Sequence, residues 1–206
     1  MNAKKRYLCA LAVHAIVFVL ECVAFWPNPF TGALKYYTQL SNLLALFVSA
    51  ACLIEGVLRL KAGKSEPSEA VRVLSYVAVC MLTLTFLVDV FILSRADGLG
   101  GLRHLLFHGE MLYMHFLCPV IALLGFFLFE KEPPLTNKHL FLALLPTLLY
   151  AAVTIVLNIM KVMHGPYPFL YVYEQPVYMS CVWFFIVVGG AALIAWALKK
   201  GSGSKK

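Results

Sequence analysis

Six long, nearly unbroken apolar runs dominate this chain, and they decide what its solvent is. A membrane helix needs about 20 mostly apolar residues, and the runs at 6–26, 34–60, 70–94, 105–129, 138–160 and 177–198 all reach that length. Hydrophobic residues make up 62% of the chain and charged residues 13%. Soluble proteins are about 45–50% apolar, so a soluble fold of this length could not hide the excess. In lipid every backbone N–H and C=O must be paired internally, which leaves helices or a closed barrel. Barrel strands would show short alternating segments, and these runs do not alternate. The expected fold is all-α: a polytopic membrane protein with six transmembrane helices. Residues 1–198 form one six-helix domain, and 199–206 read as a flexible tail of the kind an expression vector leaves.

Breakers separate the runs. Trp26-Pro27-Asn28-Pro29 closes the first, and Gly98-Leu99-Gly100-Gly101 reads as the linker between the third and fourth. Pro133-Pro134 follows the fourth, and Gly165-Pro166-Tyr167-Pro168 precedes the sixth. Lys4, Lys5 and Arg6 before the first run resemble a signal peptide's start, but the apolar core is too long and ends at Phe25-Trp26-Pro27.

The charge distribution sets the topology. Thirteen of the 17 Lys and Arg residues fall on the side of the two termini, and Lys35, Arg95, Arg103 and Lys161 on the other. The positive-inside rule then puts both termini in the cytoplasm. The net charge of +7 is explained without nucleic acid. All six cysteines lie inside apolar runs, which argues against a disulfide framework.

Ionisable groups inside a membrane span are costly and mark function by default. With about 1.5 Å of rise per residue, Glu21 and Asp89 each lie roughly 8 Å below the outer end of their helices. Thr38 and Asn42 lie about 6 and 12 Å down, and His108, Glu110 and His115 about 5, 8 and 15 Å down. The polar groups thus gather in the outer half of the membrane, as a lipid pocket would require. The inner half holds little beyond Glu55 and Arg59, one turn apart and suited to a snorkelling ion pair. Pro119 has no N–H, so the carbonyl of His115, four residues back, is expected to lose its helical partner and the helix to kink. Pro146 predicts a second kink. Trp26, Tyr36, Tyr37, Tyr167, Tyr171 and Tyr173 suit an interfacial aromatic belt, some of them lining a lipid entrance.

Three segments resemble a known family in order along the chain. Leu34-Lys35-Tyr36-Tyr37-Thr38 is similar to the nucleophile segment of the androgen-induced membrane hydrolases. Met114-His115-Phe116-Leu117-Cys118-Pro119 is similar to their Met-His…Pro segment, and His164-Gly165-Pro166-Tyr167-Pro168-Phe169-Leu170 to the loop before their last helix. Gln39-Leu40-Ser41-Asn42-Leu43-Leu44 looks closer to a bacterial six-helix branch. The resemblance implies a threonine hydrolase of fatty-acid esters of hydroxy fatty acids, with Thr38 and His115 as the essential pair, a lipid substrate and no cofactor. A distant branch uses a cysteine nucleophile, and no cysteine near Thr38 matches it.

The chemistry suits those residue types. A threonine hydroxyl needs a base to take its proton, and a neutral histidine can take it and return it to the leaving alcohol. Asn42, one turn below Thr38, is placed to donate to an oxyanion, and Asp89 or His108 to orient His115. Glu110 and Tyr167 complete the expected pocket. One distance fits poorly: the depth ruler separates Thr38 and His115 by about 9 Å, whereas His108 is level with Thr38. Spacing alone does not choose between the two histidines. Two other readings share these residues. A zinc-dependent lipid hydrolase would draw ligands from His104, His108, His115, Glu110 and Asp89. A transporter or haem carrier would use His14 and His115, which the ruler places at similar depths.

Overall fold

A computed structural model describes residues 1–26, 35–95 and 98–203. The chain forms α1 (Ala3–Phe25), α2 (Tyr37–Lys61), α3 (Glu69–Phe91), a 3-10 turn (Leu93–Arg95) and α4 (Gly98–Phe107). A π-helical segment (Leu112–Leu117) runs into α5 (Cys118–Phe129), followed by α6 (Asn137–Ile159), a 3-10 turn (Pro168–Leu170) and α7 (Val177–Gly201). No strand occurs among the described residues. Six of the helical stretches are long and apolar enough to cross a membrane, the fourth being Leu112–Phe129.

Local chemistry sets the helix starts. Asn2 accepts the Lys5 N–H at 2.8 Å, and Ser68 accepts the Val71 N–H at 3.3 Å, each capping a first turn. Thr136 donates its backbone N–H to His139 Nδ1 at 3.1 Å at the head of α6. α3 is the central post, packed against α2, α5, α6 and α7, and it is the most buried span. α6 and α7 are the least buried, and side chains such as Phe141 and Phe185 point outward. Lipid supplies no hydrophobic drive between helices, so close contact relies on small residues. Gly56 faces Leu11 and Gly125 faces Val13 with no room for a Cβ, and Ala45, Ala143, Ala191 and Ala195 sit in the core.

Both termini lie at one end of the bundle, here the terminal end. There Lys131 Nζ donates to the Gly201 carbonyl at 2.8 Å, and Ala3 and Lys131 line a common cavity.

Five of the six expected helices appear within a few residues of their expected bounds. The fourth does not. Gly98–Gly101, expected to be a linker, begins α4 instead, and the chain breaks near Gly109, whose φ of 53° is left-handed. The membrane segment therefore starts at Leu112, seven residues later than expected. At the C-terminus α7 continues through Gly201, and Lys199 Nζ reaches Asn137 Oδ1 at 2.5 Å, so the expected tail at 199–206 is helical at its start. Pro27, Asn28, Pro29, Leu34 and Ser204 to Lys206 lie outside the described residues.

The terminal half of the bundle is more polar than the depth ruler implied. Glu55 and Arg59 do pair at 3.7 Å, as expected. But Arg72, one of the basic residues counted at the terminal end, turns inward together with Glu130. Arg72 Nη1 reaches Glu130 Oε2 at 3.0 Å, and Arg72 Nη2 the Glu130 carbonyl at 2.7 Å. Ser75 Oγ donates to Glu130 Oε1 at 3.0 Å, and His14 Nε2 lies 3.2 Å from the same oxygen. Each charge makes the other's burial tolerable, and a one-residue view of hydropathy has no means to see the pair.

Candidate active site

The expected nucleophile lies in the first turn of α2. Thr38 is the second residue of that helix, where backbone N–H groups have no intrahelical acceptor. Its N–H donates to the Tyr167 hydroxyl at 3.3 Å, and its Oγ1 lies 3.4 Å from the same hydroxyl. Tyr167 reaches it from the loop between α6 and α7. Gly165 lets that loop close on itself, since a Cβ there would meet the Leu170 carbonyl oxygen at 2.7 Å. Burial, more than any partner, raises the Tyr167 phenol above its ordinary pKa, so it stays protonated.

Thr38 is held from below by its own helix. Ser41 Oγ and Asn42 Nδ2 donate to the Thr38 carbonyl at 2.8 and 2.7 Å. Thr85 Oγ1 meets Ser41 Oγ at 2.9 Å, tying this turn to α3.

Asn42 also holds the histidine segment. In an α-helix the Cys118 N–H would bond the Met114 carbonyl. Here it reaches back to Tyr113 instead, in π spacing. Pro119 has no N–H to offer in its place. The Met114 carbonyl is therefore left without a helical donor, and Asn42 Nδ2 supplies one at 3.2 Å. The proline's effect thus falls on Met114 as well as on the expected His115, because the helix register shifts. It also corrects the role expected for Asn42. Both amide hydrogens serve carbonyls, so Asn42 positions the site and has no donor left for an oxyanion.

His115 is buried, and its Nδ1 lies 3.3 Å from Asp89 Oδ2. Of the two groups expected to orient it, Asp89 is the one the fold supplies. His108 and Glu110 are exposed in the break between α4 and the π segment, and the His108 ring lies tilted against His104, centroids 4.5 Å apart. Neither lines the cavity described next, because the helix expected to carry them inward ends at Phe107. The same break mends the depth mismatch. Counted from Leu112 and Tyr37, His115 and Thr38 are only about 3 Å apart in depth.

Thr38, Asp89 and Tyr167 share the wall of a cavity whose volume is about 800 Å³ to its open mouth. The rest of the wall is mainly apolar and comes from α3, α6, α7 and the loop between the last two, including Ile155, Phe169, Trp183 and Val187. Tyr37 joins the wall, bonded to Thr147 Oγ1 at 2.7 Å, and Tyr150 packs edge-on to it at 5.2 Å while donating to the Lys35 carbonyl. Tyr37 and Tyr167 are each 8% exposed, so they belong to the site rather than to a belt. Trp26, 87% exposed, and Tyr173, 62% exposed, do face outward. Thr147, Tyr150 and Trp183 carried no signal in the sequence, since each is an ordinary residue of an apolar helix.

The two alternative chemistries fare differently. Among the described residues no three His, Cys, Asp or Glu side chains converge as metal ligands. His14 and His115 belong to separate networks, on Glu130 and on Asp89. Residues 115 and 130 lie at opposite ends of the same helical stretch, about 22 Å apart along it, so the two imidazoles do not face one haem. No family model, curated protein or solved structure matches this chain.

Proposed function

We propose that this chain is an intramembrane lipid-ester hydrolase with Thr38 as nucleophile and His115 as general base. The observation that carries the reading is Thr38 on the wall of an apolar cavity, beside the carboxylate that holds His115. His115 Nδ1 faces Asp89 Oδ2 at 3.3 Å, and with its proton on that side the ring presents an unprotonated Nε2, the tautomer a base requires. It takes the Thr38 proton as Oγ1 attacks the ester carbonyl carbon. The carbonyl π electrons move to oxygen, and that oxyanion meets the Tyr167 hydroxyl at the positive N-terminal end of α2. Collapse breaks the carbon–oxygen bond to the alcohol, which takes the proton from His115. Water, deprotonated by the same histidine, then cleaves the acyl-threonine, and the proton returns to Thr38.

The substrate class is fatty-acid esters of hydroxy fatty acids, as the motif resemblance implies. The aliphatic and aromatic wall suits two acyl chains, and the weakly covered α6–α7 face suits their arrival from the bilayer. The excess of basic residues at the terminal end orients both termini to the cytoplasm and opens the site to the opposite leaflet.

Intact-mass labelling with a lipophilic fluorophosphonate tests the assignment. The native chain gains one adduct, and Thr38→Ala and His115→Ala gain none. An adduct that persists in folded Thr38→Ala, or a folded native chain that takes up no label, sinks the mechanism.

A further inference from the structure

A second cavity opens at the terminal end, about 470 Å³ to its mouth, and the Thr38 chemistry makes no use of it. Three cations line it: Arg6 from α1, Arg72 from α3 and Lys131 from the link after α5. Arg72 is 1% exposed and lies 4.2 Å over the Phe126 ring. It spends Nη1 and Nη2 on Glu130, but its buried Nε–H has no acceptor among the described residues. A buried guanidinium donor without a partner is rare, and it calls for an acceptor that binds there.

Three further features favour an anion. The first turns of α1 and α3 both border the cavity, through Ala3 and Val71, and helix N-termini carry positive potential. Burial first, and then the charges of Arg72 and Arg6, push the Lys131 ammonium below its ordinary pKa. Glu130 pairs with Arg72, and His14 and Ser75 engage its other oxygen, so it leaves Arg6 and Lys131 unbalanced. Glu66 and Glu132 also line the wall, but the terminal end as a whole carries eleven Lys and Arg against five Glu among the described residues.

We propose that this cavity binds a phosphate-bearing anion, either the headgroup of an anionic phospholipid or free phosphate. Its place at an end of the transmembrane bundle is where headgroups lie. The proposal is independent of the hydrolase reading.

The test measures binding to the full chain in uncharged detergent at fixed salt. The probes are short-chain phosphatidylglycerol, short-chain phosphatidylcholine and inorganic phosphate. Phosphatidylglycerol binds better than phosphatidylcholine, and Arg6→Gln and Lys131→Gln each weaken it about fivefold. The double variant Lys61→Gln/Lys64→Gln, on the same end but outside the cavity wall, changes it less than about twofold. Binding of inorganic phosphate with the same dependence on Arg6 and Lys131 assigns the site to the free ion. Phosphatidylglycerol binding without it assigns the site to the lipid. Equal binding of the two lipids with no binding of phosphate overturns the proposal. So does an equal loss in the Lys61/Lys64 variant, which would mean a diffuse basic surface.

Discussion

Truncating Asn42 probes the join between the two halves of the candidate site. Asn42 is fully buried and donates to the Thr38 and Met114 carbonyls at 2.7 and 3.2 Å. Asn42→Ala removes both bonds with unequal consequences. The Thr38 carbonyl keeps Ser41 Oγ, so that loss costs about 0.6 kcal/mol, typical of a hydrogen bond inside a membrane protein. The Met114 carbonyl keeps no donor from its own helix, so about 1–2 kcal/mol more is lost to an unpaired buried group. The sum is about 2 kcal/mol, or a fall of roughly 4–8 °C in Tm for a chain of this size. Asn42→Asp is the sharper case. It is nearly isosteric, yet its carboxylate places acceptors against two carbonyls. It should therefore be less stable than Asn42→Ala, by about 1 kcal/mol or more. Thermal unfolding in detergent reads both variants, and the fluorophosphonate labelling rate reports the alignment of Thr38 with His115. An Asn42→Ala protein melting within about 1 °C of native, or an Asn42→Asp protein more stable than Asn42→Ala, refutes the assignment of Asn42 as donor to Met114.

Three other expectations follow from the geometry. Asp89→Asn leaves Thr38 and the cavity in place but removes the carboxylate holding His115 Nδ1, so the labelling rate falls about 10²–10⁴-fold, with modest change in Tm; an unchanged rate would free Asp89 of that role. Gly165→Ala drives a Cβ onto the Leu170 carbonyl and displaces the Tyr167 loop, so labelling slows while the helix content seen by circular dichroism stays native; an unaltered rate argues against Tyr167 acting on the reacting atoms. Burial works to raise the Glu130 carboxyl, but His14, Arg72 and Ser75 outweigh it and hold it at about 2, below its ordinary 4.5. A depressed folded pKa contributes stability that is full above 4.5 and is lost as pH falls from 4.5 toward 2. Tm should drop across that window, and Glu130→Gln, less stable at neutral pH, should drop less; parallel acid profiles for the two proteins contradict the network.

Much of the architecture follows from the sequence alone, because lipid imposes a strict rule. A backbone that cannot bond to water must bond to itself, and runs of about 20 apolar residues then become spanning helices wherever they occur. That rule places α1, α2, α3, α6 and α7 almost where the apolar runs lie. It also marks Thr38, Asp89 and His115 as polar groups in an apolar setting, the first and last singled out by their motif resemblance. The rule is silent where helix ends and registers are chosen by neighbours. Nothing in Gly98-Leu99-Gly100-Gly101 distinguishes a linker from a short helix, and the π turn at Leu112–Leu117 depends on Asn42 of another helix to bond the Met114 carbonyl. Tyr167 reads as a belt residue until the loop folds it onto Thr38. Arg72 and Glu130 are 58 positions apart, and neither residue alone tells that packing makes them one buried pair. The sequence by itself determined which segments enter the membrane, since that is a property of each segment against lipid. Only the tertiary structure decided which polar groups meet, since a buried hydrogen bond or ion pair is a property of two segments at once.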